Sequence, residues 1–327
     1  MNDFPDSIHI TEEGPREGFQ FEKQDIPTAR KIELIDALAD TGLKQIQVVS
    51  FVHPKYVPQM ADAEAVVAGI APRDDVEFIG LWLNLQGLQR AIATERLHLE
   101  GSVALTASAR FLERNQKRTM EENLQQQREM AAAYKAAGIP ISRGSVMAAF
   151  GCNYEGPISI DRVVLQVGDI LAVAEEQGEK IHVMNFSDTM GWATPRSIRE
   201  VIGAVRNRYP DLTMSLHLHD TRGMGIANAY AGLEMGVAHF DACVGGLGGC
   251  PFAGNRAAAG NVCTEDLVFL CRDLGIETGV DLDKLVAVAE LAEDIVGHSL
   301  PGSVKTGGSL SDWYATRGDG GRRGRIA

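Results

Sequence analysis

The sequence predicts an α/β protein built as a (β/α)8 TIM barrel with a C-terminal helical extension. Three observations lead there. Short apolar or β-branched runs alternate with longer amphipathic stretches, and eight such pairs can be drawn before the chain ends. At 327 residues the chain exceeds a typical domain but suits one barrel. The segment Glu12-Glu13-Gly14-Pro15-Arg16-Glu17-Gly18, after the first predicted strand, is charged. A doubly wound sheet would carry a glycine-rich phosphate loop there.

The first strand is drawn from Ile8 to Thr11, a short run rich in β-branched residues, and the helix Thr28 to Ala39 follows with apolar residues at three-to-four spacing. On the same grounds the remaining strands are Gln45 to Phe51, Glu77 to Leu83, Gly101 to Leu105, Ser145 to Ala149, Lys180 to Asn185, Thr213 to His217 and Phe240 to Val244. The helices between them include Met120 to Ala137, Ser159 to Glu176, Arg196 to Arg208, Ile226 to Met235 and Thr264 to Asp273. An extra helix, Leu282 to Val296, comes after the eighth pair, so the barrel domain is expected over 1–300 and a tail over 301–327. The glycine- and arginine-rich stretch Arg317 to Arg325 reads as a solvated terminus.

Composition narrows the function. A net charge of −13 argues against a nucleic-acid or anionic-membrane partner, since either needs a basic face. No apolar run reaches the ~18 residues of a membrane span, and the acidic start lacks the pattern of a signal peptide, so a cytoplasmic protein is expected. Cys152, Cys243, Cys250, Cys263 and Cys271 form no CxxC pair, which fits reduced thiols.

In a barrel the working residues sit where strands end, and four of those ends are unusually polar. Ser215-Leu216-His217-Leu218-His219-Asp220 closes strand 7. Side chains alternate along a strand, so His217 and His219 face the same way and can chelate one metal ion. Arg16-Glu17 after strand 1 brings a carboxylate and a guanidinium, and a carboxylate with two histidines leaves open positions on a divalent ion. Val244-Gly245-Gly246-Leu247-Gly248-Gly249-Cys250-Pro251 after strand 8 is a flexible loop. Its Cys250 is either a proton donor or a small buried residue. Asn261 beyond it offers an oxygen to a metal, while Thr264 suits the cap of the next helix. Asn185-Phe186-Ser187-Asp188-Thr189 after strand 6 supplies a second carboxylate, Asp188, as a general base or as an orienting group.

Together these stretches resemble the 3-hydroxy-3-methylglutaryl-CoA lyase family. The likeness is carried by Glu13 to Gln20, Ser50 to Met60, Gly151-Cys152-Asn153-Tyr154-Glu155-Gly156, Asp188-Thr189-Met190-Gly191, His217-Leu218-His219-Asp220 and Gly246 to Ala253, in one order over about residues 8 to 300. The resemblance implies a TIM-barrel metallolyase with Mg or Mn held by Glu17, His217 and His219 and assisted by Asn261. It further implies that Arg16 steadies an enolate, Cys250 protonates it and Asp188 supports the substrate hydroxyl. The substrate class it implies is a small-molecule acyl-CoA, with Lys55 and Arg256, alongside Arg110 and Ser108, as candidates for holding the CoA. Barrels of this kind are often dimers or larger, so a homo-oligomer is expected.

Four departures from the family pattern stand out. Glu17 replaces the usual Asp, Gln47 replaces the usual Glu of strand 2, Ala109 replaces a Glu, and the loop from Gly254 to Gly260 is about two residues longer. They leave room for a related thioester such as citramalyl-CoA, for a condensing synthase, and for a non-catalytic barrel that binds a CoA ester.

Overall fold

The structure is a computed structural model and describes residues 4–249, 259–311 and 313. The chain gathers into two compact units, one drawn from 4–98, 240–249 and 259 onward, the other from 99–239.

The first unit opens with β1 (His9–Glu12), α1 (Thr28–Ala39), β2 (Gln45–Ser50), α2 (Ala63–Gly69), β3 (Glu77–Leu81) and α3 (Leu85–Ala93). β2 lies parallel to both neighbours, with Thr11 opposite Gln45 on one side and Gln45 opposite Glu77 on the other. Every residue of β2 is buried, as expected of a strand packed on both faces. α1 buries Leu34, Ile35 and Leu38, one apolar stripe at helical spacing. Asn84 caps α3 by accepting from the Gly87 N–H at 2.9 Å.

The second unit holds β4 (Gly101–Thr106), α4 (Ala109–Gln116), α5 (Met120–Ala136), β5 (Ile141–Met147), α6 (Ile160–Glu175), β6 (Val183–Ser187), α7 (Pro195–Arg208), β7 (Thr213–His217) and α8 (Gly225–Glu234). Its strands pair in parallel in sequence order. Reciprocal capping boxes start α5, at Thr119 and Glu122, and α7, at Thr194 and Ser197.

β8 (His239–Ala242), α9 (Thr264–Leu274), α10 (Leu282–Val296) and α11 (Ser303–Gly307) complete the chain. The eight parallel strands follow one another as β3-β2-β1-β8-β7-β6-β5-β4, the cyclic succession of the predicted (β/α)8 TIM barrel. Among the described residues no helix is long and apolar enough to cross a membrane.

Two strand positions differ from the sequence reading for identifiable reasons. β5 begins earlier, at Ile141, and passes through Gly144, where a Cβ would lie 2.7 Å from Ile170 and 2.6 Å from Met184. It stops at Met147 because Ala148 turns into the left-handed region at φ +53°, a conformation sparsely used by residues with a Cβ. β6 runs over Val183–Ser187, later than drawn, so its end reaches Asp188 directly.

Candidate functional site

In the first unit the polar cluster is built on the turn that follows β1. Gly14–Gly18 forms a single π-helical turn, a feature common at functional sites, and all five residues are buried. Glu12 anchors it. Its Oε1 accepts from the Gly14 N–H at 2.8 Å and the Val244 N–H at 2.9 Å, and its Oε2 accepts from the Thr264 hydroxyl at 2.6 Å. The carboxyl is fully buried, and burial pushes it up to about 8 against the pull of those three donors. Thr264 therefore does not cap α9 as the sequence suggested. The N-cap position falls on Cys263, which makes no side-chain cap bond, and the Thr264 hydroxyl serves Glu12.

Anchored in this way, the turn aims Arg16 and Glu17. The Arg16 guanidinium donates to Glu13 Oε2 at 2.8 Å, to Glu17 Oε2 at 2.7 Å and, through Nε, to Gln47 Oε1 on β2. Burial opposes its charge, yet Glu13 and Glu17 outweigh that and hold its pKa above the ordinary value. Glu17 Oε1 in turn accepts from the Asn261 amide at 3.2 Å. Asn261 Oδ1 is buried with no hydrogen-bond partner. The approach to Asn261 depends on glycine: a Cβ on Gly260 would lie 2.4 Å from the Gly248 backbone.

The second unit brings the histidines together. β7 ends at His217, and His217 Nε2 lies 3.3 Å from His219 Nε2, with ring centroids 5.1 Å apart. Two nitrogens at that spacing match adjacent ligands on one ion. Asp188, 1% exposed, follows β6. Its Oδ1 accepts from the Trp192 N–H at 2.6 Å and the Ala193 N–H at 3.0 Å, while Oδ2 is buried without a partner. Burial raises its pKa, with His219 and His217 pulling the other way. Thr189 stabilises the left-handed Ala148 by accepting its N–H at 2.9 Å.

The remaining candidates are scattered. Ser108 is fully buried, caps α4 through the Phe111 N–H at 3.1 Å and donates to Glu155 at 2.8 Å. Lys55 and Arg110 are exposed, Arg110 pairing with Glu113. Cys250 and Arg256 lie outside the described residues. Sequence reasoning passed over Glu12, although a carboxylate closing a strand is itself a signal, since acidic residues are depleted there.

In the first unit Glu17 offers a carboxylate and Asn261 an amide carbonyl, and in the second His217 and His219 offer imidazoles, donor types that divalent cations accept. The partnerless Asn261 Oδ1 fits a cation ligand, because a buried carbonyl oxygen otherwise forfeits its hydration.

Residues 7–292 match the HMGL-like family model. The hydroxymethylglutaryl-CoA lyase of Gallus gallus is 42% identical over 288 residues, 86% of this chain and 91% of that protein. Among solved structures, the hydroxymethylglutaryl-CoA lyase of Pseudomonas aeruginosa superposes with a TM-score of 0.86 at 36% identity, covering 94% of this chain and 98% of that one. An HMG-CoA lyase from Acinetobacter baumannii, in complex with coenzyme A and 3-methylmalate, gives 0.82 at 35% identity, covering 94% and 97%. Sequence, strand order and structural likeness agree along nearly the whole length, and the chain belongs to the HMGL-like family.

Proposed function

We propose that the protein is a divalent-metal-dependent carbon-carbon lyase that cleaves a 3-hydroxy-3-methylglutaryl-CoA-like thioester into acetyl-CoA and a keto acid, acetoacetate where the substrate is 3-hydroxy-3-methylglutaryl-CoA. The observation that carries this reading is the pair of imidazole nitrogens 3.3 Å apart at the end of β7, in a chain of this family. Glu17, His217, His219 and Asn261 are the proposed ligands of one Mg or Mn. When bound, such an ion supplies Lewis acidity to the substrate oxygens.

The chain's own residues divide the remaining work. Asp188 Oδ2, raised by burial and without a partner, takes the proton of the C3 hydroxyl. The C2–C3 bond breaks, its electron pair passes toward the thioester oxygen, and Arg16 offsets that negative charge. Cys250 returns a proton to C2. Lys55, Arg256 and Ser108 are proposed to hold the CoA. A cytoplasmic location and a homo-oligomeric state belong to the same proposal, and size-exclusion chromatography tests the latter.

One observation favours a second substrate. Gln47, neutral where the family pattern has Glu, accepts from Arg16, so the charge beside the guanidinium differs from that of the usual lyase and a related 3-hydroxyacyl-CoA such as citramalyl-CoA fits as well. A panel of 3-hydroxyacyl-CoA esters, assayed with Mg and with Mn and read by mass detection of the keto product, separates the two. Asp188→Asn should lower kcat by roughly 10²- to 10⁴-fold on whichever ester is cleaved. Unchanged turnover in that variant removes Asp188 from the mechanism.

A further inference from the structure

We infer that Glu13 is a positioning residue that supplies Arg16, from the turn after β1, with the charge that a Glu on β2 would supply at the position of Gln47, an inference that rests on the lyase reading above. The three nitrogens of the Arg16 guanidinium meet three different side chains. Nε donates to Gln47 Oε1, Nη1 to Glu17 Oε2 at 2.7 Å and Nη2 to Glu13 Oε2 at 2.8 Å. A planar cation held at every nitrogen has one orientation left to it. The three acceptors differ in charge. Gln47 is neutral, and Glu17 is a proposed metal ligand, so its charge is shared with the ion. Glu13 is the one acid of the three that is outside the proposed ligand set.

Glu13 reaches Arg16 from a fixed base. Its N–H donates to Ala242 O at 2.8 Å, and its carbonyl accepts from the Arg16 N–H at 3.1 Å and the Glu17 N–H at 2.7 Å. The side chain is 7% exposed, so water does little to weaken its hold on the guanidinium. The adjacent Glu12 cannot take its place, because both oxygens of that carboxyl are spent on Gly14, Val244 and Thr264.

A Glu at position 47 would set its carboxylate against Arg16 Nε, where the Gln47 oxygen now sits. Glu13 sets one against Nη2 instead. Either contact compensates the same buried cation, and a charge-assisted hydrogen bond is roughly twice as strong as a neutral one. The aim of Arg16 at the thioester oxygen therefore depends on Glu13 in this chain.

Glu13→Gln, Gln47→Glu and the two together test this. E13Q keeps an oxygen for Arg16 and loses the charge, and Q47E returns a charge to β2 beside the Nε contact. Each Mg-loaded full chain is assayed on 3-hydroxy-3-methylglutaryl-CoA for kcat and KM, and urea melts record folding and stability. E13Q should lower kcat by about tenfold or more, with KM within about threefold of wild type. Adding Q47E to E13Q should recover at least about half of that loss on a logarithmic scale, whereas Q47E alone should bring wild type no gain. Wild-type kcat in folded E13Q overturns the inference. So does a Q47E effect of the same factor in both backgrounds, and so does a pair that recovers stability without kcat, which leaves Glu13 as a structural ion partner. A wild type inert toward a panel of 3-hydroxyacyl thioesters overturns the lyase reading and Glu13's part in turnover with it. The melts need no substrate, and they then show whether the charge pairing itself stands.

Discussion

Arg16 shows how much one residue's meaning depends on its neighbours. From the sequence, Arg16-Glu17 is a charged pair after a strand, and its position at the strand end is what marks it for chemistry. The fold adds Glu13 at 2.8 Å and the Gln47 oxygen, contacts across up to 31 positions of sequence that no local pattern encodes. His217 and His219 were legible because strand alternation is a local rule. Gln47 was legible as a departure, though its partner was not. Replacing Arg16 with Met should cost about 3–5 kcal/mol, since Glu13 and Glu17 would stay buried without their cation. Urea melts of the variant check this, and a loss below about 1 kcal/mol would mean that the two carboxylates find water instead.

Single elements acquire their precision from groups the sequence reading left unassigned. The strands were drawn to within a few residues because β-branched runs announce themselves, yet the ends that matter were set elsewhere: β5 by the left-handed Ala148 and β1 by the burial of Glu12. Glu12 ties the turn after β1 to Val244 after β8 and to Thr264 at the start of α9. Its carboxyl sits at about 8 in the native state against 4.5 as the reference. A raised acid favours folding below the reference value, and that contribution is lost as pH climbs through the native one. Stability should thus fall between about pH 4.5 and 8 by an amount of order a few kcal/mol from this group alone. Glu12→Gln keeps the two backbone acceptor contacts and can donate to the Thr264 hydroxyl, so its stability should be flatter over that window. Chemical denaturation at several pH values compares the two slopes, and identical slopes would mean that Glu12 is ionised throughout.

At the scale of the whole molecule, the barrel was legible from the count and alternation of elements, which is a long-range regularity that single misplaced boundaries do not disturb. The family was legible because the polar motifs at four strand ends occur in one order along the chain, as its match to the HMGL-like family over residues 7–292 bears out. Substrate was not, since a CoA ester is distinguished by contacts of a few side chains, and two of the proposed site residues, Cys250 and Arg256, fall outside the described residues. The account therefore turns on whether the ligands gathered from distant parts of the chain act as one metal site. Mn binding to chelator-stripped protein, followed by calorimetry for wild type, His217→Ala and His219→Ala, tests this most directly. The account predicts one ion per chain for wild type and a loss of affinity of roughly 100-fold or more in either variant. Variants that bind Mn as tightly as wild type, or stripped protein that still cleaves a 3-hydroxyacyl thioester, would contradict it.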